Sequence, residues 1–404
     1  MVKLALIGTG GYAWELIKRI WMIPELCELV GVSHNPTRQT IGVKECKDKN
    51  IPVYDSVADL LDAMHGKADI IVVPTPIHMH FPISKQCLEA GFDIFLEKPP
   101  VATIQELDEL NNIVFKTGKS CGVCFQYLYS SLVQRLKSEI CDGKYGKIKT
   151  IKAMAGWPRL ESYYSRAPWA GKLKIGKNWI LDGTINNPLA HLLANQLYLA
   201  SMKRTKMASP TSIQAELYHG HDIESEDTSS LRIMTEDNVE ILFNTTLCSS
   251  TNLEGEMVIE TEKAVIKYFC FNKVNIKYLD GSEEYIVDDS EPCVYMLERM
   301  IDAWTNKKPY IATLDVCRPF TLAVNGAFDS CGEIRNISQE NIAHIKQNES
   351  IKTVIKGIDE ILKTAHAKGK LFSECDVLWS KSSSLFSLQR YSQFPSTFLD
   401  KKIR

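Results

Sequence analysis

The chain has 404 residues, 45% of them hydrophobic and 24% charged, with a formal net charge of −2. One hydrophobic core rarely grows past ~250–300 residues, so this length predicts two domains, and the composition excludes a disordered chain. With no run of five or six like charges and no window of 18 or more uninterrupted apolar residues, neither nucleic acid nor a membrane is expected as a partner.

The opening MVKLALIGTG reads as a buried strand running into glycines, without the small-residue cleavage site of a signal peptide. Most of the twelve cysteines sit in apolar patterns, as at Cys27, Cys87, Cys124 and Cys270, and are expected to be reduced core thiols of a cytoplasmic protein. The one C-x-x-C, Cys121 to Cys124, lacks the second pair that a tetrahedral zinc site needs, so no metal is expected.

Strand patterns at Lys3–Ile7, Glu28–Ser33, Ile70–Val73, Asp93–Leu96 and Ser120–Phe125 alternate with helical patterns at Ala13–Trp21, Val57–Met64, Ile83–Glu89 and Ile104–Lys116. That is the βαβ rhythm of a parallel sheet. After Gly146 the pattern changes to longer alternating strands: Ile148–Ala155, Ser212–Leu217, Ser229–Thr235, Val239–Thr246, Glu256–Glu260, Ala264–Phe269 and Val274–Leu279. Helices are predicted over Ile185–Leu199, Tyr295–Thr305, Cys317–Ser330 and Val354–Lys368, and the tail from Ser380 to Arg404 is expected to wrap the surface or fray.

Between the first strand and first helix stands Gly8-Thr9-Gly10-Gly11-Tyr12-Ala13, a G-x-G-x-x-A loop. Gly8 suits the tight turn, Gly10 lets backbone approach a pyrophosphate, and small Ala13 permits close helix–strand packing, while the helix N-terminus offers N–H donors. The fold class that follows is α/β: an N-terminal Rossmann domain over residues 1–125 with a parallel sheet, then an α+β domain over 126–404 with a large, mostly antiparallel open sheet. At the end of the second strand, where NAD enzymes usually carry an acid, the residues are Ser33, His34 and Asn35, followed by Arg38. The missing carboxylate and the nearby Arg38 favour NADP, while Ser33 or Asn35 holding the ribose of NAD directly is the competing reading.

Two further segments, Val73-Pro74-Thr75-Pro76-Ile77-His78-Met79-His80 and Glu97-Lys98-Pro99-Pro100, complete a set of motifs with the glycine loop. Together they resemble the Gfo/Idh/MocA oxidoreductases (glucose-fructose oxidoreductase / inositol dehydrogenase-like). The likeness continues more weakly through Gly143–Ile148, the Asn186–Asn195 stretch and Gly369–Phe372.

The resemblance implies a cofactor site made by Gly8, Thr9, Gly10, Gly11, Tyr12, Ala13, Ser33, His34, Asn35, Arg38, Pro74, Thr75, His78, His80, Glu97, Lys98 and Gln126, with Lys98 beside the nicotinamide. The family's D-x-x-x-H signature is represented by Asn187-Pro188-Leu189-Ala190-His191, an Asn in place of the Asp. On one helical face, Asn187 and His191 would share a pocket, with His191 as the acid/base. Asn195 and Leu128 depart from the family's usual residues as well, so unusual substrate contacts are expected.

Aromatic and arginine residues from Trp157 to Trp179 suit a sugar ring, and Tyr127, Tyr164, Arg166, Trp169, Trp179, Asn187 and His191 are the expected substrate contacts. A subunit interface in a dimer or tetramer explains the loop aromatics equally well.

The function so implied is NAD(P)-dependent hydride transfer on a secondary alcohol or ketone of a sugar, sugar acid, cyclitol or glycoside, with a carbohydrate or polyol as small-molecule partner. A glycoside hydrolase using transient oxidation and a non-catalytic dinucleotide-sensing regulator are the alternatives.

Overall fold

The computed structural model describes residues 1–269 and 271–398, so Cys270 and the end of the expected tail lie outside the described residues. Contacts divide the chain into two units. One comprises Met1–Val101, Gln105–Ser130 and Ser290–Arg318; the other comprises Ala102–Ile104, Ser131–Asp289 and the chain from Pro319 onward.

The first unit is a six-stranded, all-parallel sheet formed by β1 (Val2–Ile7), β2 (Cys27–Ser33), β3 (Val53–Tyr54), β4 (Ile70–Val73), β5 (Asp93–Leu96) and β6 (Cys121–Val123). Their order is β3-β2-β1-β4-β5-β6, the doubly wound arrangement whose direction reverses between β1 and β4. All four residues of β4 are buried, as a parallel sheet covered on both faces demands.

Five of these strands, β1, β2, β4, β5 and β6, fall where the periodicity places them. Two-residue β3 and the polar helix Ile41–Asp48 were not expected, because neither is long or apolar enough to show a period.

The helix Pro292–Thr305 also belongs to this unit, burying Cys293, Met296, Leu297, Met300 and Ile301. A Cβ on Gly122 of β6 would lie 2.6 Å from the Met300 methyl, and Trp304 Nε1 donates to Asp93 at 3.1 Å. Its periodicity announces a helix but not the sheet against which it packs, so the contact units differ from a division at residue 125.

The second unit holds a ten-stranded sheet. Along it lie Glu283–Val287, Lys273–Tyr278, Ala264–Phe269, Leu253–Thr261, β7 (Ile148–Gly156), Glu240–Thr246, Thr228–Thr235, Pro210–His219 and Arg335–Asn336, with Phe386–Ser387 paired to Pro210–His219. Pairing is antiparallel except between β7 and Glu240–Thr246 and between Pro210–His219 and Arg335–Asn336.

Two helix expectations are corrected here. Helix Ala190–Ala200 begins five residues later than predicted, leaving Asn187 in the preceding turn and off the helical face. The helix expected from Val354 starts at Ile358, after the strand Ser350–Ile355 and Gly357 at φ 75°. In both cases an apolar run continued through a turn, which periodicity alone does not mark.

Helix Ala190–Ala200 ends on a buried cation: Lys137 Nζ donates to the carbonyls of Tyr198 and Ser201 at 2.5 Å and of Lys206 at 3.2 Å. A lysine so placed satisfies carbonyls left over at a helix C-terminus.

The described tail is tied down. Buried Asp329 accepts from the backbone N–H groups of Ser396, Thr397 and Phe398 at 2.7–3.1 Å and from the Tyr391 hydroxyl. Phe394 and Phe398 pack on Trp179 with ring centres at 4.9 and 6.4 Å. Among the described residues no helix is long and apolar enough to cross a membrane, and the eleven described cysteines are free thiols.

Removing the Asp329 carboxylate strands at least three amide donors. Asp329→Ala is therefore expected to cost roughly 2–4 kcal/mol and to speed hydrogen exchange over 391–398. Unchanged exchange there would show that the aromatic contacts alone hold the tail.

Candidate functional site

In the first unit the glycine loop follows β1 and is shaped by close approach. Gly8 has φ 105°, and a Cβ on it would stand 3.3 Å from that of Ala13, so the small residue at 13 lets the helix start against the strand. Gly8 N donates to Ser33 O at 2.9 Å, which ties the loop to the end of β2.

A Cβ on Gly10 would meet the Thr40 methyl at 2.8 Å, and one on Gly42 would meet Thr9 O at 2.2 Å. Gly42 and Thr40, whose hydroxyl lies 2.8 Å from that of buried Thr9, belong to this loop's support and carried no sequence signal. Tyr12 donates to Gln126 Oε1 at 3.3 Å, bringing together two expected cofactor residues 114 positions apart.

At the end of β2, Ser33 is buried while Asn35 and Arg38 are exposed. Asn35 Oδ1 accepts from Thr37 N and Oγ1 at 3.0 and 2.8 Å, closing an Asx turn. His34 Nε2 lies 2.9 Å from Asp55 Oδ1. This carboxylate, brought in by β3, was not anticipated because that strand was not.

The segments after β4 and β5 lie at the carboxyl edge of the sheet, where open α/β sheets bind ligands. Buried Thr75 Oγ1 and His78 Nδ1 have no hydrogen-bond partner, and burial lowers the His78 pKa. Pro74 is half-buried beside them. Buried polar atoms of this kind are normally satisfied, so these two suit a ligand that carries donors and acceptors.

His80 is different. It is 1% exposed, with Nδ1 2.7 Å from Pro99 O and Nε2 2.6 Å from Thr75 O, and burial with the Lys98 charge lowers its pKa to about 4. It links the β4 and β5 loops from beneath and, being enclosed, does not face a ligand. Between Ile94 and Ile104 only Lys98 is not buried. Burial raises the pKa of neighbouring Glu97 to about 7 against the pull of the Lys98 charge, and Glu97 Oε2 accepts from Lys98 N at 3.1 Å. Tyr127 stands half-buried in the turn Gln126–Tyr129 that follows β6.

In the second unit a similar window opens. From Ile180 to Ser201 only Asn187, Pro188 and His191 are not buried. The turn before the helix begins with Leu181 at φ 51°, a left-handed conformation costly for a leucine, so the surroundings must hold it.

Glu226 does so. Its buried carboxylate accepts from Thr184 N at 2.9 Å, Thr184 Oγ1 at 2.5 Å, Ile185 N at 3.1 Å and Ser229 Oγ at 2.9 Å. A Cβ on Gly183 would lie 2.2 Å from Glu226 Oε1, so the turn has room only for glycine there. Asp182, 3% exposed, accepts from Asn187 Nδ2 at 2.6 Å. Neither acid was singled out from sequence, although Asp182-Gly183 is a turn signal.

Arg166 lies 3.5 Å over the Tyr163 ring and 4.7 Å from that of Trp169, donates to Tyr163 O at 2.5 Å and stands 3.8 Å from Asp182 Oδ2. The Tyr164 ring packs on His221 with centres 4.7 Å apart, and its buried hydroxyl has no hydrogen-bond partner. The structure thus brings Arg166 and Asn187 to Asp182, with Trp169 reached through Arg166. Trp179 stands apart from that group, committed to the tail aromatics and to Lys174, whose ammonium is 3.7 Å from its ring centre.

His221, Asp227 and Cys248 place a nitrogen, an oxygen and a sulfur within 4.8 Å of one another. Asp227 Oδ2 already accepts from Gly220 N, His221 N and His221 Nδ1 at 2.8–2.9 Å, so protein donors occupy the oxygen a cation would need.

Residues 2–125 match the family model described as "Oxidoreductase family, NAD-binding Rossmann fold". D-glucoside 3-dehydrogenase of Escherichia coli (strain K12) is 28% identical over 154 residues, 38% of this chain and 43% of that protein. Glucose-6-phosphate 3-dehydrogenase of Bacillus subtilis (strain 168) is 29% identical over 153 residues, 38% of this chain and 41% of that protein. The chain therefore aligns with less than half the length of these curated relatives.

Among solved structures, the WlbA dehydrogenase from Bordetella pertussis in complex with NADH and UDP-GlcNAcA superposes with a TM-score of 0.70 at 20% identity, covering 82% of this chain and 96% of that one. An inositol dehydrogenase homolog from Azotobacter vinelandii, complexed with NADH and myo-inositol, gives 0.64 at 14% identity over 81% and 95%. At these identities the likeness shows the fold.

The buried Glu226 makes a pH prediction. Burial, opposed by its four donors, raises its pKa from 4.5 to about 7, so the native state holds the proton more tightly than the unfolded chain. Its contribution to stability is full below 4.5 and is lost as pH rises through 7. Glu226→Gln does not titrate. Between pH 4.5 and 8 the stability difference should shift towards the variant by on the order of 3 kcal/mol in urea unfolding, whereas parallel curves would place the carboxyl in a solvated setting.

Proposed function

Because residues 2–125 belong to the Gfo/Idh/MocA family of NAD-binding oxidoreductases, we propose that this protein is a nicotinamide-dependent dehydrogenase or reductase. Its proposed substrate is a secondary alcohol or ketone of a sugar, sugar acid, cyclitol or glycoside. The observation that carries the reading is Lys98: the one side chain not buried between Ile94 and Ile104, in a segment that His80 ties to the one carrying the unpaired Thr75 hydroxyl and His78 nitrogen.

The residues present fit a dinucleotide. The backbone from Gly8 to Ala13 and the first turn of Tyr12–Ile20 would hold a pyrophosphate, while Thr75, His78 and Gln126 supply polar groups further along the edge. A bound nicotinamide supplies the hydride acceptor or donor.

This chain's own work is polar. The Lys98 ammonium donates to the substrate oxygen and stabilises negative charge as an alkoxide character develops. His191 accepts the hydroxyl proton during oxidation and returns it during reduction, a task that an imidazole ring nitrogen can perform. Asn187 carries no proton to exchange and orients a substrate hydroxyl. Arg166 and Trp169 supply a donor fork and an aromatic face for the rest of the sugar.

At the ribose end, exposed Arg38 and the lack of a carboxylate at 33–35 favour the 2′-phosphate of NADP, whereas Asp55 beside His34 favours NAD. We place the preference with NADP because a guanidinium can fork onto phosphate.

Lys98→Met keeps the length of the stem and removes the charge. On any sugar that the wild type turns over, kcat should fall roughly 10²–10³-fold while the cofactor dissociation constant changes little. Wild-type turnover in Lys98→Met would remove this residue from the mechanism.

A further inference from the structure

In the second unit, side chains between Trp157 and Trp169 form a continuous run of alternating aromatic rings and guanidinium groups. The Arg159 guanidinium carbon lies 5.9 Å from the Trp157 ring centre and 5.1 Å from that of Tyr163. The Arg166 carbon lies 3.5 Å from the Tyr163 centre and 4.7 Å from that of Trp169. Both guanidinium groups are therefore within 5.1 Å of the centre of one ring, near enough for one small molecule to meet both.

The backbone holds this run in place without a ligand. Trp157 N donates to Thr246 O at 3.0 Å and Arg159 N to Leu247 O at 2.9 Å, which seats the first two members against the end of the strand Glu240–Thr246. Tyr163 lies in the short helix Glu161–Tyr164, pinned to the hairpin of Ile342–Gln347 and Ser350–Ile355. Ser162 N donates to Ser350 Oγ at 3.0 Å, and Thr353 Oγ1 donates to Glu161 Oε1 at 3.1 Å. Arg166 Nη1 donates back to Tyr163 O at 2.5 Å.

Two like charges around one ring repel each other unless an anion offsets them. The acid beside them is Asp182, whose Oδ2 stands 3.8 Å from Arg166 Nη2, past hydrogen-bond length, and accepts from Gly171 N at 2.7 Å. Arg159 Nε is buried without a hydrogen-bond partner, and its Nη1 stands at 3.5 Å from Pro158 O. Burial and the Asp182 charge raise the Tyr163 pKa against both guanidinium charges and a hydrogen bond from Arg159, so the hydroxyl stays neutral. Two cations and one carboxylate leave a single positive charge, at a place with donors to spare. A guanidinium lying against an aromatic face keeps its in-plane N–H groups for an oxyanion. The Arg166 side chain is 29% exposed and Arg159 is part-exposed, so a solute reaches them.

We infer that Arg159 and Arg166 form a carboxylate-binding site, with the flanking Trp157 and Trp169 rings as platforms for the ring of a sugar acid. One carboxylate restores neutrality here, whereas a phosphate dianion overshoots it. A planar carboxylate also matches the fork of a guanidinium. The site stands on the second unit alone and is independent of the dehydrogenase reading.

Calorimetric titration of the whole protein without cofactor tests this, with glucuronate, glucose, acetate and inorganic phosphate as probes. Glucuronate should saturate at millimolar concentration or below, with glucose and acetate each at least about 10-fold weaker. Arg159→Gln and Arg166→Gln should each weaken glucuronate about 10-fold, and Arg159→Lys, which keeps the charge but not the fork, should weaken it less. Failure of glucuronate to saturate wild type overturns the inference, as does equal affinity in wild type and both glutamine variants. Phosphate binding as tightly as glucuronate overturns the choice of a carboxylate, and acetate doing so overturns the sugar.

A glutamine variant that does not fold is replaced by a measurement on wild type. In protein labelled with 15N-arginine, the Nε signal of Arg159, identified by its loss in Arg159→Lys, should move on addition of glucuronate and stay still on addition of glucose. A signal unmoved by both overturns the inference. So does an Arg159→Gln protein whose sedimentation mass changes while glucuronate binding does not, since the run would then be a contact between copies of this chain. Absence of sugar turnover by wild type would defeat the dehydrogenase reading and leave these binding results to decide the site.

Discussion

A parallel sheet buried on both faces can meet a ligand only at the ends of its strands, and the first unit is organised by that constraint. β4 is wholly buried, and β1 and β5 are buried along nearly their full length. Polar chemistry is therefore confined to the segments that follow the strands, chief among them the glycine loop and the segments after β4 and β5. His80 then couples the last two from below by contacts to Thr75 O and Pro99 O. Lys98 emerges at the edge because everything around it in the chain is core.

The second unit solves a related problem with buried acids in place of a sheet edge. The turn before Ala190–Ala200 carries Leu181 in a left-handed conformation, and two carboxylates, Glu226 and Asp182, accept the turn's donors. Unpaired, such charges would be expensive to bury; each donor offsets part of that cost and narrows the turn to one geometry. Asn187 and His191 are what this buried frame leaves accessible.

The parts legible in the sequence were those with a long period or a motif of fixed spacing. The strand–glycine–helix succession, the alternating strands after Gly146 and the Glu97-Lys98-Pro99-Pro100 segment were all readable. Short polar elements were not, and with β3 went Asp55, the carboxylate beside His34. Pairings across long separations were equally hidden: Tyr12 with Gln126, Asp329 with the tail, and Glu226 with Thr184 have no local signature. That Asn187 meets Asp182 across a turn is likewise something sequence spacing does not reveal.

The central claim is that this chain uses a nicotinamide dinucleotide, and direct titration tests it most simply. Purified protein titrated calorimetrically with NADPH and NADH should saturate at one site per chain at micromolar concentration, with NADPH the tighter. Failure of both to saturate at millimolar concentration would contradict the account.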